Sequence, residues 1–516
     1  MSWFPIHEPL LPDIIAQHGK WQGERTALID AHGRLSWREF ERDTARIANG
    51  LAQLGLQLQD RVAVLMDNSL EMALSLFGIV RSGCVAVPLN ISISDAAVVA
   101  MIEDSGARAV FASGSHCARI DRLRPQRLAG IICVGLDAPG QDWFSFREFL
   151  AAQAHTLDRH IDPQHVCNII YSSGTTGIPK GIVHTHRCRM NWAFDLAVVL
   201  RYRSDCVTLC SLGLFSNITW VAMLATILVG GTMVVMAAFD AAEAVALIER
   251  ERITHGTFVP VQLERLLELP ALERQRVGTL DTIMCCGSPL PLAVKQAVPR
   301  VFKCDLIELY GLTEGVCTIL TPEDFERKTA SVGKPFLGTE LRIIGDDDRE
   351  VPPGGIGEIV GFSRLMMAGY YGRDDASADA TWTDPLGRRW LRTGDLGRFD
   401  EDGFLYIVDR KKDMILSGGQ NIYPADIEMV IREHPDVDEV AVVAATSRKW
   451  GETPVAVVVL KSGCEIPKEL LIDWTNARVG KQQRIRDVIW RATLPRNANG
   501  KLLKRDLRHE LATLVY

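Results

Sequence analysis

Through the first two thirds of the chain, short apolar runs alternate with longer stretches of helix length. Arg61–Met66 (RVAVLM) and Cys84–Leu89 (CVAVPL) are almost wholly apolar over the span of a strand, with the helical stretch Leu70–Arg81 between them. Strands of this kind are buried on both faces, so the alternation predicts parallel sheets covered by helices, an α/β body. Val166–Ile170 reads as another buried strand, and it runs directly into a polar, glycine-rich segment. Further on, Glu340–Ile344 and Gly357–Gly361 are strand-like and flank the turn-rich stretch 345–355, which predicts a small β-lobe. At Asp409–Asp413 (DRKKD) the chain turns strongly charged. Beyond it we read a helix over Pro424–Glu433, strands at Glu439–Ala445 and Val455–Leu460, a helix near Lys468–Ala477 and a last one over Leu502–Leu511. About a hundred residues make a reasonable small α+β domain. The expected plan is a large N-terminal domain over residues 1–410 and a small C-terminal one over 411–516.

One apolar stretch requires a decision, because Thr219–Phe239 carries no charge and is long enough to cross a bilayer. Gly230-Gly231 divides it into a helix-like half and a β-branched half, and no Lys or Arg flanks it closely. A buried helix–turn–strand unit is the reading, with no stable membrane insertion. Composition narrows the partners. At 516 residues the chain exceeds what one core organises, so two or more domains are expected. A net charge of −7 argues against nucleic acid, whose phosphates need a basic surface, but leaves a small anionic ligand open. Twelve cysteines without a Cys-x-x-Cys pair read as reduced, buried small hydrophobes. Met1–Glu8 lacks the basic start of a signal peptide, so a cytoplasmic location is expected; an oligomer is possible.

The polar segment is Tyr171-Ser172-Ser173-Gly174-Thr175-Thr176-Gly177-Ile178-Pro179-Lys180-Gly181. Glycines let backbone N–H groups approach phosphate oxygens, hydroxyls donate further hydrogen bonds, and Lys180 adds a compact positive charge. An ordinary turn would not concentrate these features so densely. The spacing also differs from the strand-to-helix P-loop, which needs four residues between its glycines and a Gly-Lys-Ser/Thr ending. As a whole the run resembles the phosphate loop of the adenylate-forming superfamily, which contains acyl-CoA and aryl-CoA ligases, firefly luciferase and the adenylation domains of peptide synthetases.

Further motifs carry the same resemblance. Tyr310-Gly311-Leu312-Thr313-Glu314 follows an apolar run and is similar to the family's pentad, in which the tyrosine stacks on adenine, the threonine reaches phosphate and the glutamate binds magnesium. Gly287-Ser288, after Cys286, matches the turn lining the other side of the adenine. Asp395, expected on a turn at the end of Trp390–Asp395, resembles the ribose-binding aspartate, and Arg410 resembles the arginine that contacts ribose or phosphate. Lys412 stands at the family's hinge, followed by Ser417, Gly418 and Gly419 along the implied pantetheine path. Lys501, in Pro495–Lys501, matches the lysine that neutralises charge between acyl carboxylate and α-phosphate. With Thr176 and Glu314, it forms the implied catalytic set. From Tyr171 to Lys501 the motifs keep the family's order.

There is one departure. Many acyl-CoA ligases carry a histidine where this chain has Ser216, beside Phe215, in the segment that in relatives borders the acyl pocket. The smaller, uncharged side chain implies a roomier pocket or a different gate. Phe215, Leu312 and Val316 make the candidate pocket mostly apolar, which favours a hydrophobic fatty, aryl or alicyclic acid. The resemblance thus implies an AMP-forming carboxylate–CoA ligase using ATP, Mg2+ and coenzyme A, with a mobile C-terminal lid. Its rivals are an enzyme loading a carrier-protein phosphopantetheine in trans, a luciferase-like oxidase, and a non-catalytic nucleotide-binding protein of the same fold. Basic residues near the end, Lys481, Arg484, Arg486, Arg491 and Lys504, are candidates to hold CoA phosphates.

Overall fold

The computed structural model describes residues 8–136, 142–151, 159–172, 180–270, 276–417, 420–497, 500–512 and 514–516. Two sheets dominate the first part of the chain. One runs in the order Gly369–Tyr370, Lys180–Thr185, Val166–Ser172, Val85–Pro88, Arg61–Leu65, Ala107–Ala112, Ile132–Gly135, Trp143–Ser145. It is parallel from Val166–Ser172 outward and antiparallel at the Val166–Ser172/Lys180–Thr185 hairpin. In the other, Asp305–Gly311, Thr282–Cys286, His255–Phe258, Val207–Cys210, Thr232–Val235 and Thr26–Ile29 are parallel neighbours, with Cys317–Leu320 and Arg34–Ser36 antiparallel at its two ends.

Every residue of Val85–Pro88, His255–Phe258 and Thr282–Cys286 is buried, as expected of parallel strands covered on both faces. The covering helices are apolar to match. Leu70–Arg81, at its expected bounds, has ten of its twelve residues buried and is capped by Ser69, whose hydroxyl accepts from Met72 N–H. A cap of this type contributes about 1 kcal/mol. The uncharged stretch divides as expected: helix Asn217–Val229, then Gly230 at φ 70°, then strand Thr232–Val235. A Cβ at Gly230 would lie 1.9 Å from Gln22 Nε2, so both the turn and its close neighbour require glycine. No described helix is long and apolar enough to cross a membrane. Eleven of the twelve cysteines are buried, and burial pushes up the thiols of ten of them, Cys286 to about 12.

The expected β-lobe is a five-stranded sheet: Thr339–Ile344, Gly357–Ser363, Arg389–Phe399 and Thr381–Thr383 in order, with Leu405–Arg410 also on Arg389–Phe399. A final sheet is built on the long ladder between Val437–Ser447 and Gly451–Leu460. Its alternate residues face opposite ways. Val440, Val442, Ala456 and Val458 pack with Ile427, Ile431 and Leu471, while Ala441, Val443, Val455 and Val457 pack with Leu507 and Leu511. Helices Pro424–Arg432 and Lys468–Asn476 match the sequence expectation, and the last helix, Lys504–Leu511, starts two residues later than expected.

The chain divides into two compact units: residues 1–329, 335–340 and 362–381 in one, and 330–334, 341–361 and 382–516 in the other. The second therefore joins most of the β-lobe to the C-terminal sheet.

Candidate active site

In the first unit, the site candidates gather where parallel strands end. Thr282–Cys286 and Asp305–Gly311 run side by side with Cys286 opposite Leu309, which brings Gly287-Ser288 and Tyr310-Gly311 to the same carboxyl edge. This is the edge at which open α/β sheets bind ligands. Ser288 Oγ is buried and has no partner among the described residues. Val207–Cys210 ends at the same edge and leads to Phe215 and Ser216. The segments touch: a Cβ on Gly287, which sits at φ 95°, would lie 2.8 Å from Ile218 Cδ1. Ser216 caps the helix Asn217–Val229, accepting from Ile218 N–H, which is a local reason for a small hydroxyl here. Val316 is fully buried, while Phe215 and Leu312 are half-buried.

The glycine-rich run joins two paired strands. Ser172 lies opposite Lys180 and Tyr171 opposite Gly181, so the connection belongs to a hairpin and no helix follows it directly. Ser173, Gly174, Thr175, Thr176 and Gly177 lie outside the described residues. Lys180 projects its ammonium 4.8 Å from the centroid of the Tyr370 ring. The Tyr370 hydroxyl donates to Glu314 Oε1 at 3.0 Å. Burial, with the Glu314 charge next, pushes that hydroxyl's pKa up, so it remains protonated as a donor. Tyr370 thereby links the lysine of the phosphate run to the magnesium candidate.

The Thr313-Glu314 turn is held on several sides. Leu312 N–H donates to Val316 O and Gly315 N–H to Leu312 O, closing the turn, and Met367 N–H donates to Glu314 O at 2.8 Å. His184 Nε2–H donates to Thr313 O at 2.8 Å. Burial, then the nearby Arg189 cation, holds this imidazole well below its usual range, so it is neutral.

In the second unit, Asp395 is buried and lies opposite Arg410 on paired strands, Arg410 Nε reaching its Oδ1 at 3.3 Å. The expected turn is instead part of the eleven-residue strand Arg389–Phe399. It looks turn-like in sequence because the strand is bulged. Glu358 pairs with Leu396 and Val360 with Arg392, so Ile359 alone faces three residues, 393–395, and Gly394 takes φ 69°. Thr393 Oγ1 donates to Ile359 O and accepts from Asp395 N–H, which fixes the bulge.

Lys412 is exposed. Desolvation of the ammonium by its neighbours, then the Arg410 cation, lowers its pKa. Its carbonyl accepts from Arg508 Nη1 at 2.6 Å, while Arg508 Nη2 lies 2.8 Å from Asp413 Oδ1. Ser417 ends the strand Ile415–Ser417; Gly418 and Gly419 lie outside the described residues. Lys501 stands on a turn closed by reciprocal bonds with Asn497 and by the Arg496–Leu502 bridge. Of the basic candidates for CoA, Arg491 pairs with Glu510 and Lys504 with Glu428, while Lys481, Arg484 and Arg486 are exposed.

Set beside known proteins, residues 15–371 match the family of AMP-binding enzymes, and residues 426–501 match the AMP-binding enzyme C-terminal domain. The chain belongs to the AMP-binding enzymes. This AMP-binding enzyme is 34% identical to the long-chain-fatty-acid–CoA ligase FadD13 of Mycobacterium tuberculosis, over 93% of this chain and 94% of the relative. It is 33% identical to the indoleacetate–CoA ligase of Aromatoleum aromaticum, over 98% and 99%. ATP-bound MatB from Rhodopseudomonas palustris has the same fold, with a TM-score of 0.87 at 28% identity, covering 97% of this chain and 98% of that one. The chain is accordingly an acid–thiol ligase of the AMP-forming kind, working with ATP, Mg2+ and coenzyme A.

For such an AMP-binding enzyme the magnesium requirement fits the residues present. The described residues contain no group of three His, Cys, Asp or Glu able to hold a metal alone. A magnesium ion delivered with ATP needs only one or two carboxylates, its shell being completed by phosphates and water. Glu314, with its Oε1 steadied by Tyr370, meets that need. Sequence reasoning missed Tyr370, His184 and Arg189. Tyr370, in Gly369-Tyr370-Tyr371-Gly372, carries no charge or dense motif to mark it, and His184 and Arg189, in GIVHTHRCRM, stand at no spacing that marks them.

Proposed function

We propose that this enzyme activates a hydrophobic carboxylic acid, fatty, aryl or alicyclic, and transfers it to the CoA thiol. A carboxylate oxygen attacks the α-phosphorus of ATP, the bond to the β,γ-phosphates breaks, and acyl-AMP and pyrophosphate form. The thiolate sulfur then attacks the acyl carbonyl, and AMP leaves with the bonding pair. The observation that supports this reading best is the shared carboxyl edge, where Ser288 and Tyr310 adjoin Phe215, Leu312 and the fully buried Val316. An apolar lining beside an unpartnered hydroxyl suits an apolar acid next to a purine.

In this reading Lys180 and the hydroxyls of Ser172, Ser173, Thr175 and Thr176, with the N–H groups of Gly174 and Gly177, hold the phosphates. Tyr310 stacks on the adenine between Gly287-Ser288 and Gly311, and Thr313 reaches phosphate. Asp395 accepts from both ribose hydroxyls, with Arg410 orienting its carboxylate. Magnesium, when bound at Glu314, supplies charge neutralisation at the phosphates. Lys501 balances the negative charge where carboxylate meets α-phosphorus. Thioester formation needs that same space for a thiol, so the segment after residue 410 pivots at Lys412 and opens a path past Ser417, Gly418 and Gly419.

The experiment is a panel of carboxylic acids assayed for pyrophosphate and AMP release, with CoA or a holo carrier protein as acceptor. Acid-dependent pyrophosphate release followed by CoA-dependent AMP release is expected. AMP release that needs the carrier protein and ignores CoA would overturn the acceptor assignment. Lys501→Ala should abolish adenylation yet retain thioester formation from supplied acyl-AMP; equal loss of both would remove the role given to Lys501.

A further inference from the structure

Arg189, in the helix His186–Val199, is completely buried. Its Nε donates to Asn168 Oδ1 and its Nη1 to Asn217 Oδ1, both at 2.9 Å. Nη2 is buried with no partner among the described residues, and no described carboxylate lies within ion-pair distance of the guanidinium. The rings of Trp220 and Trp192, with centroids 5.0 and 5.8 Å from Cζ, soften the environment without neutralising it. Burial lowers the guanidinium to about 10, which leaves it charged at neutral pH. Among the described residues a full positive charge therefore stands unmatched in the interior, an arrangement that is costly unless the charge is used.

Its position sharpens the point. Asn217 is the first residue of the helix Asn217–Val229, whose N-terminus carries partial positive charge of its own. Placing a cation there opposes the helix dipole, and stability alone would favour Asp or Glu. Two positive sources converge beside Ser216, next to the largely apolar lining of Phe215, Leu312 and Val316. Ile218, on the first turn of the same helix, approaches the Gly287 turn proposed for the adenine.

We propose that Arg189 and the N-terminus of the helix Asn217–Val229 create a fixed positive field beside Ser216 that draws the reacting carboxylate of the acid to the pocket entrance. Arg189 is a positioning residue here, since it acts through Asn217 and the field. The inference rests on the ligase reading given above. Its alternative within the same chemistry is an ATP phosphate as the anion, and the two separate by which substrate's KM responds.

Asn217→Asp is the test, because it gives the guanidinium a carboxylate and the helix a favourable first residue. If Arg189 serves stability alone, this variant melts higher and turns over unchanged. If the field serves the acid, it melts no lower, yet KM for the acid rises about tenfold while KM for ATP stays within about twofold. Arg189→Lys and Arg189→Met, normalised to titrated active sites, separate charge from packing: the lysine variant should keep KM for the acid within about threefold, and the methionine variant should raise it about tenfold. Unchanged KM for the acid in Asn217→Asp, a lower melting temperature for that variant, equal KM values for Lys and Met at position 189, or a rise confined to ATP would each overturn the proposal. Failure of the ligase reading is recognised separately, as wild-type protein that releases no pyrophosphate with any acid.

Discussion

Replacing Gly315 by alanine puts the support of the Thr313-Glu314 turn to a direct test. Gly315 sits at φ 110°, where an L side chain is strained by about 1–3 kcal/mol. A Cβ there would also meet Leu365 O at 2.1 Å, Leu365 C at 2.5 Å and Met366 Cα at 2.5 Å, all backbone atoms. Leu365 cannot easily retreat, since its carbonyl also accepts from Trp192 Nε1 at 2.9 Å and Cys188 Sγ at 3.3 Å and its side chain is fully buried. Overpacking of this kind adds about 1–3 kcal/mol, so the total is roughly 2–6 kcal/mol, relieved only by shifting the turn. A displacement near 1 Å of a group that positions substrate costs on the order of a hundredfold in rate. Gly315→Ala should therefore lose about a hundredfold in kcat/KM for pyrophosphate release and melt lower by thermal denaturation. Gly403→Ala is the control: φ 79° with nothing within 4 Å of the added Cβ, hence strain alone and full activity. If Gly315→Ala matched that control in both assays, the turn would be free to move and the account of Glu314's placement would fail.

Other outcomes are expected. Tyr370→Phe keeps the ring beside Lys180 but deletes the hydrogen bond to Glu314, so the Mg2+ concentration for half-maximal pyrophosphate release should rise about tenfold; an unchanged Mg2+ titration would refute the link. His186 is fully buried, neither ring nitrogen has a partner among the described residues, and its pKa is lowered from 6.5 to about 4, by burial first and by His165 next. Because the unfolded chain takes up the proton at higher pH than the folded one, the stability from this group is complete above pH 6.5 and falls by on the order of 3 kcal/mol as pH drops towards 4. Urea midpoints across that range should fall more steeply for wild type than for His186→Gln, and parallel curves would contradict the assignment. Ser216→His removes a helix cap worth about 1 kcal/mol and fills the pocket entrance, so acid preference should shift towards smaller acids; an unaltered substrate profile would contradict the pocket assignment.

Much of the fold was legible because the signals were local. The continuous apolar runs at Arg61–Leu65 and Val85–Pro88 allow only doubly covered strands, and Gly230-Gly231 could only break the uncharged stretch that surrounds it. The start of the glycine-rich run was legible by the same logic, because the strand before it was plain; the strand after it, KGIVHT, was not, since it holds the buried His184 among its apolar residues. Asp395 misled because a bulge borrows the residues of a turn, and single-strand reading cannot see the partner strand, on which one residue faces three. His184, Arg189 and Tyr370 were illegible for a different reason. Their roles exist only through partners 21 to 129 residues away, at Asn168, Asn217, Glu314 and Thr313, and no spacing along one segment encodes such contacts.

The grip of Arg508 on the Lys412 carbonyl has a practical corollary. Any rotation of the main chain at residue 412 must first release a side chain rooted in the closing helix, 96 residues downstream. A latch on the proposed pivot is thus carried by the helix Lys504–Leu511. On the proposed two-step reading, changes in the helix Lys504–Leu511 would alter switching between the half-reactions, and kinetic comparisons between preparations that differ there should be read with this in view.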